Sequence, residues 1–508
     1  MAVKTSSVRA KASAKNVEPP PAIALPPLLA AAIVFVAAGS VLVLEILSVR
    51  LLAPYVGLTL ETTTSIIGAV LLGISAGAAI GGRLADRTNT RLLVVGLLIG
   101  GGLLVLLTVP IVRWLGPASE NGGNVAALKV TFAALVPVAA ILSAVSPAVA
   151  HLQLHDLRAS GTIVGRLSAW ATAGALVGTF GAGFVLVPLL PVSSSVLAIG
   201  VLLVLSGLGL AVYALPLKPG RTAGTILSTA ALGVIGPLLH SPCDAETKYH
   251  CIRVVEDPEQ VYGHYLLLDG GYNSYINLND PRDLGLFTYT HWISAEMSAM
   301  GTPKTPLDVV FVGGGGYTLP RWLQATRPGS RSTVLEVDGQ LTDFDRRRLG
   351  LRTSPDLRAI TGDARLTLRD VPSHSADMIV GDAFSSRTVP WQLMTKEWLK
   401  DVRRVLRPGG IYALNLIDYP PLAMLRAEAA TLLASFKSLR MITKLGNNGR
   451  PGGGNAVLFA SNVSLPVPPG PNAFAGKTFD RAAITKLAVG AKQLRDDYAP
   501  VDQLVTRP

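Results

Sequence analysis

The chain has 508 residues, of which 49% are hydrophobic and only 15% charged. A soluble globular chain carries about 25% charged residues, so much of this one suits a low-dielectric solvent; an ordinary cytosolic enzyme throughout and a disordered chain are both excluded. Two cysteines exclude a disulfide-built scaffold and a four-cysteine zinc site, and the net charge of +12 forms no basic stripe that would support nucleic-acid binding.

Residues 1–21 form a basic tail, with Lys4, Arg9, Lys11 and Lys15 against Glu18. Residues 22–240 hold only ten basic and five acidic residues. Apolar runs near 25–49, 62–82, 92–112, 125–150, 167–190 and 196–217 approach or exceed the ~20 residues that cross a bilayer as a helix. They predict a multi-pass, all-α membrane bundle in a cell membrane, with the lipid bilayer as its partner. A seventh run, 222–239, is uncharged but rich in Gly, Ala, Ser and Thr, so the sequence allows six or seven helices. The first run is too long, and has too many spans after it, for a cleaved signal peptide. Spacing of four in Gly73-Gly77-Gly81 and Gly174-Gly178 puts small residues on one helix face and predicts close helix contact. Glu45 lies within the first span; an intramembrane carboxylate is a functional candidate, and pairing with Arg50 is the plainer alternative.

Eleven basic residues fall in the tail and in the 83–91, 151–166 and 218–221 loops; the alternate side has Arg50, Arg113 and Lys129. The positive-inside rule makes the tail cytoplasmic. Six spans then leave the C-terminal half in the cytoplasm, and seven place it outside. Cys243 and Cys251 flank a short polar stretch after the seventh run. In an oxidising compartment they would pair, and inside they would stay free thiols; the sequence leaves both open. His240 and His250 lack any metal-site spacing with them, so no metal is expected.

Residues 241–508 have the composition of a soluble domain, with 31 basic and 27 acidic residues. A small β region comes first, with strands at CIRVV, HYLLLDG and SYINL, and with the helix that follows it fills 241–300. From 301 to 465 strands alternate with helices, at 308–313, 332–338, 357–363, 376–382 and 410–417, then 440–445 and 456–460. The alternation predicts a parallel sheet covered on both faces, with ligands at the carboxyl ends of the strands. Every notable residue falls at such an end. The first strand runs into Gly313, Gly314, Gly315 and Gly316, where backbone can approach a ligand and free N–H groups favour negative charge. The second ends in Glu336 and Asp338, placed to accept ribose hydroxyls. The third ends in Asp363 and Ala364, suited to an adenine amino group, and the fourth in Asp382. Acids at three successive strand ends point to a nucleoside pocket. Residues 466–508 read as a proline-rich linker and tail with a helical pattern at 480–494.

The stretches LLLDG, FTY, VVFVGGGG, VLEVD, GDARLTLRD, IVGDAFS and VRRVLRPGGIYALN, in this order across roughly 265–418, resemble the spermidine synthase (polyamine aminopropyltransferase) family on its class I methyltransferase-like, Rossmann-like fold. With VLEILSVRLLAP and GGRLADR before it, the whole chain resembles the multi-pass membrane members described as fused transporter/spermidine synthases. The segment GGRLADRTNTR also resembles the loop after the second helix of major-facilitator transporters. The family resemblance implies an aminopropyl transfer to a diamine such as putrescine. Decarboxylated S-adenosylmethionine, or S-adenosylmethionine itself, would be a co-substrate rather than a tightly bound cofactor. Carried over by position, Glu336 would bind ribose, Asp363 and Ala364 the adenine, Tyr289 would line the site of the small-molecule amine, and Asp382 would be the catalytic carboxylate. Polyamine synthases are commonly homo-oligomers, which the resemblance extends to this chain. The family's usual Gly-Gly-Gly-Asp ends here in Gly316, a second aspartate is Ser385, a glutamine is Asn273, and a Tyr-His pair is Tyr289-Thr290, with His291 displaced by one. These departures keep open a methyltransferase using the intact donor, and a non-catalytic nucleoside-sensing or transport protein.

Overall fold

The computed structural model describes residues 25–56, 60–116, 123–154, 160–214, 243–302, 304–384, 389–447, 449–468 and 476–506. The basic tail, the 222–239 run and Ser385 lie outside them. Six helical segments are long and apolar enough to cross a membrane, at Pro27–Ala53, Thr62–Ala85, Thr90–Leu115, Leu128–Gln153, Ser160–Leu189 and Val192–Ala214. They are built from α1 (Pro27–Val56), α2 (Leu60–Ala85), α3 (Thr90–Leu115), α4 (Gly123–Ser143) with α5 (Val145–Gln153), α6 (Ser160–Gly181) and α7 (Val192–Ala214); a π-helical turn at Ala182–Leu186 carries α6 on to Leu189.

Helix α1 packs on α6, α2 on α4, and α3 on α7. The expected small-residue contacts are present. A Cβ on Gly77 would stand 2.0 Å from the carbonyl oxygen of Ala140, and one on Gly174 would stand 2.2 Å from that of Phe35. Only glycine lets these backbones come so close. Arg50 and Glu45 form no ion pair. Residues five apart fall on different helix faces, and Arg50 Nη2 instead donates to the backbone carbonyl of Thr247, 2.8 Å away in the α/β half.

The C-terminal half opens with an antiparallel sheet of β1 (Ala245–Glu246), β2 (Cys251–Glu256), β3 (Gly263–Leu268) and β4 (Gly271–Asn277), paired in that order. A disulfide joins Cys243 to Cys251 and closes the β1–β2 hairpin. The Asp-Gly of LLLDG is the β3–β4 turn, with both residues at positive φ (51° and 79°), as a two-residue hairpin requires. Helix α8 (Thr288–Ala299) leads into the larger sheet.

That sheet contains β5 (Asp308–Val312), β6 (Arg331–Glu336), β7 (Leu357–Thr361), β8 (Ala376–Gly381), β9 (Leu406–Asp418), β10 (Ser438–Leu445), β11 (Pro451–Ser461) and β12 (Lys477–Phe479). Their order is β12-β10-β11-β9-β8-β5-β6-β7. Strands β7, β6, β5, β8 and β9 are parallel. The sheet is not wholly parallel, however: β11 runs antiparallel to β9 and β10. The few residues between β10 and β11 suffice for a hairpin but not for the crossover that parallel strands need. This is the class I methyltransferase-like fold. The chain winds from β5 out to β7, then returns to β8 on the other side of β5. A crevice opens at that switch point, beyond the strand ends. The region after the proline-rich stretch belongs to the same unit: β12 extends the sheet, and Asp496 accepts from Thr395 Oγ1 at 2.6 Å and Arg365 Nη2 at 2.7 Å.

Candidate active site

A cavity of about 230 Å³ lies at the switch point, and its wall includes Gly313, Gly314, Gly315, Glu336, Asp363, Ala364, Asp382 and Tyr289. The residues singled out in the sequence therefore converge on one cleft. Gly313 has φ +97° and passes so close to β8 that a Cβ would stand 2.5 Å from the carbonyl oxygen of Asp382. Glu336, at the end of β6, is buried and fixed by two backbone donors, Gly314 N–H at 2.7 Å and Asp338 N–H at 2.8 Å. Burial pushes its carboxyl above the usual range, against the pull of those two bonds. Asp363 caps the short helix Ala364–Thr367, accepting from Arg365 N–H at 2.8 Å, on the exposed rim of the cleft.

Asp382 sits deep in the wall between two neutral donors. Asn415 Nδ2 reaches its Oδ1 at 2.8 Å from β9, and the buried Tyr289 hydroxyl donates to it from α8. Enclosure by protein raises the carboxyl to about 6, and the two donors hold it from rising further. The Tyr289 phenol is itself pushed well above its ordinary value by burial, then by the neighbouring carboxylate, so it stays a donor. A carboxylate that is ionised at neutral pH yet still basic can orient and deprotonate an incoming ammonium. Behind it, Asn455 Nδ2 donates to Asn415 Oδ1 at 3.0 Å.

Several sequence expectations change. Asp338 does not reach the cleft: it is fully buried and caps the helix Gly339–Arg348, accepting from Gln340 and Leu341 N–H. Most amides of the glycine loop are engaged within the protein. Gly313 N–H goes to Leu335 O, Gly314 to Glu336, Gly316 to Ser274 Oγ at 3.0 Å and Tyr317 to Gly314 O. Gly316 packs under the loop, where a Cβ would stand 2.4 Å from Ile276 Cδ1. His291 is turned away, its Nε2 2.8 Å from Gly285 O. Asn273 does line the cavity.

Sequence reading missed His250, Asn415 and Asn455, which also line the cleft. His250 Nδ1 lies 2.9 Å from Asp269 Oδ2, and Cys251 N–H donates to Asp269 Oδ1 at 2.9 Å. Burial pulls the His250 imidazole down, but the bond and charge of Asp269 outweigh it and the net shift is upward. An asparagine within the apolar strand GIYALNLI was the available signal for Asn415. Among the described residues no three His, Cys, Asp or Glu side chains are grouped so as to hold a metal ion.

No family model matches the chain. Over 437 residues, or 80% of its length, the chain is 25% identical to polyamine aminopropyltransferase 2 of Streptomyces coelicolor and covers 77% of that protein. The chain is similar to the polyamine aminopropyltransferases. A polyamine aminopropyltransferase of Vibrio vulnificus is 26% identical over 138 residues, 27% of this chain, so the chain spans about half (46%) of that relative's length. A crystal structure of a probable spermidine synthase from Corynebacterium glutamicum is matched over its full length by 53% of this chain, at 24% identity and a TM-score of 0.46. The similarity to aminopropyltransferases thus reaches well into the helical half in the Streptomyces protein, and six apolar helices fit a membrane-fused form.

Proposed function

We propose that the protein is a membrane-embedded transferase that moves an aminopropyl group from decarboxylated S-adenosylmethionine to an amine, with putrescine as the reference diamine acceptor. Asp382 is the observation that carries this reading: a partly protected, near-neutral carboxylate between two donors, facing the glycine loop across one cleft. Glu336 would take the ribose and Asp363 with Ala364 the adenine, which leaves the sulfonium beside Gly313–Gly315 and the acceptor between Tyr289 and Asp382. The amine nitrogen attacks the carbon next to sulfur, the C–N bond forms as C–S breaks, and the surplus ammonium proton passes to Asp382. The leaving group is the neutral thioether nucleoside. Holding the two cations in line supplies much of the rate.

The occupied loop amides favour the decarboxylated donor over the intact one. Three of the four loop glycines already give their N–H to Leu335 O, Glu336 and Ser274 Oγ, which leaves a thinner site for a donor carboxylate. The membrane domain would take residues 22–240, with the tail in the cytoplasm, and the transferase unit would follow from 241. The purified protein in lipid nanodiscs, incubated with putrescine and each donor, tests the reading by product mass. Aminopropylated product from the decarboxylated donor is expected. Methylated product from the intact donor alone would overturn it.

A further inference from the structure

The two ends of the helical bundle can be told apart. At one end Gln153 Nε2 donates to Leu25 O at 2.7 Å, and Thr90 Oγ1 meets His151 Nδ1 at 3.2 Å. The start of α1, the α2–α3 turn and the end of α5 therefore share this face. The other end gathers Arg50 near the end of α1, Arg113 near the end of α3, and Ser193 at the start of α7.

The α/β half docks at this second end. Arg50 Nη2 donates to Thr247 O at 2.8 Å. Glu246 receives Ser193 Oγ at 3.1 Å and Ser193 N–H at 3.3 Å, and lies 3.9 Å from Arg113 Nη2. Both anchor residues sit in the hairpin that the Cys243–Cys251 disulfide closes.

Helix α7 starts at this end with Val192 and runs 23 residues to Ala214. At 1.5 Å per residue it carries the chain about 33 Å away, to the face of Leu25 and Gln153. By Glu246 the chain is back beside Ser193.

We infer that the α/β domain lies outside the cytoplasm, clamped to the face of the bundle opposite the start of α1, and takes its substrates from that side. Three observations of different kinds agree. The docking contacts fix the face. The basic residues mark the opposite face as cytoplasmic, eleven against Arg50, Arg113 and Lys129. The two cysteines of the chain are joined in a disulfide, which persists in oxidising compartments and not in the cytosol. One consequence rests on the transferase reading, though the topology does not. An adenosyl sulfonium is permanently charged and crosses a bilayer poorly, so a transport step must deliver the donor to this site.

The test is thiol labelling of the full chain in intact bacterial cells. A membrane-impermeant maleimide should add nothing before reduction and two labels per chain after an impermeant reductant. Labelling confined to lysed cells, or free thiols without reduction, would overturn the proposal. Fusions after Pro508 give a second readout: alkaline phosphatase, active only outside the cytoplasm, should exceed its cytoplasmic background at least tenfold, while a green fluorescent fusion stays dark. The reverse pattern would also overturn it. Neither readout depends on catalysis, so a failed donor assay leaves the topology standing, and a failed topology leaves the transfer chemistry standing.

Discussion

Asn415 Nδ2 donates to Asp382 Oδ1 at 2.8 Å, and the same amide's oxygen accepts from Asn455 Nδ2 at 3.0 Å. The antiparallel strand β11 thus braces the proposed catalytic carboxylate through one intermediary. Asn415 favours the charged form of Asp382, whose carboxyl stands at about 6. An Asn415→Leu variant removes that donor, so the carboxyl should rise further. The acidic limb of kcat/KM, expected near pH 6 in the parent, should move upward by about one pH unit, a typical effect of losing one hydrogen bond to a charged group. Asn455→Ala should move it in the same direction by less. A pH–rate profile checks both, and an unmoved limb would show that Asp382 is not the titrating group.

Asp382 also links activity to stability. Its folded-state carboxyl is raised from 3.8 to about 6, so the folded protein binds this proton more tightly than the unfolded chain. The resulting stabilisation is complete below pH 3.8, fades between there and about 6, and is absent above. Asp382→Asn should therefore raise the apparent Tm at pH 8, by an amount equivalent to roughly 2 kcal/mol once the solvent reaching the cleft is allowed for. The advantage should vanish near pH 4. Transfer should fall by about 10²–10⁴-fold, the range for a lost general base. Thermal unfolding in detergent and product formation at saturating donor measure the two effects.

Much of this site was legible because strand ends announce themselves. An apolar run stopping at Gly313, Glu336, Asp363 or Asp382 marks where the backbone leaves the sheet, and parallel topology delivers all four ends to one crevice. Asp338 shows what that logic cannot see. Two positions apart on an extended segment it would share the face of Glu336, but the strand stops at Glu336, and Asp338 lies beyond it as the N-cap of the next helix, its side chain turned onto the Gln340 and Leu341 N–H groups. The bonding of the glycine loop was out of reach for a related reason: the amides of Gly316 and Gly314 go to Ser274 and Glu336, which lie 42 and 22 residues away in sequence. His250 and Arg50 were beyond reach because their roles depend on how two separately legible halves meet.

The family's usual aspartate after the glycine triplet has no room here. A Cβ at Gly316 would stand 2.4 Å from Ile276 Cδ1, 2.8 Å from its Cγ1 and 3.1 Å from Ser274 Cβ. Gly316→Asp should therefore lower stability, by roughly 1–3 kcal/mol as for other overpacked sites, and should not improve amine binding. Adding Ile276→Ala should recover part of the loss by clearing the space. Chemical denaturation of the single and double variants, with putrescine KM alongside, decides the matter; a stable Gly316→Asp protein with tighter putrescine binding would contradict this account of the loop.

Thr247 connects the apolar helices to the proposed donor site. Its hydroxyl accepts from His250 N–H at 2.8 Å and Tyr249 N–H at 3.1 Å, and its single hydrogen goes to Asp338 Oδ2, which lies much nearer than the other acceptor, His250 O at 3.2 Å. Asp338 in turn gives its N–H to Glu336, while Arg50 holds the Thr247 carbonyl. Thr247→Val keeps the shape and removes the hydroxyl, leaving a buried carboxylate oxygen and two backbone donors short of a partner. Such a loss is worth about 1–2 kcal/mol. If Glu336 grips the ribose, donor KM should rise about 5–30-fold with kcat nearly unchanged, because the affected contact is made equally in the ground and transition states. Thr247→Ser retains the hydroxyl and should restore the parent KM. A fall in kcat with unchanged donor KM would place Glu336 outside the donor contacts, whereas a Val defect that Ser fails to repair would trace the effect to packing of the methyl group instead of the bond to Asp338.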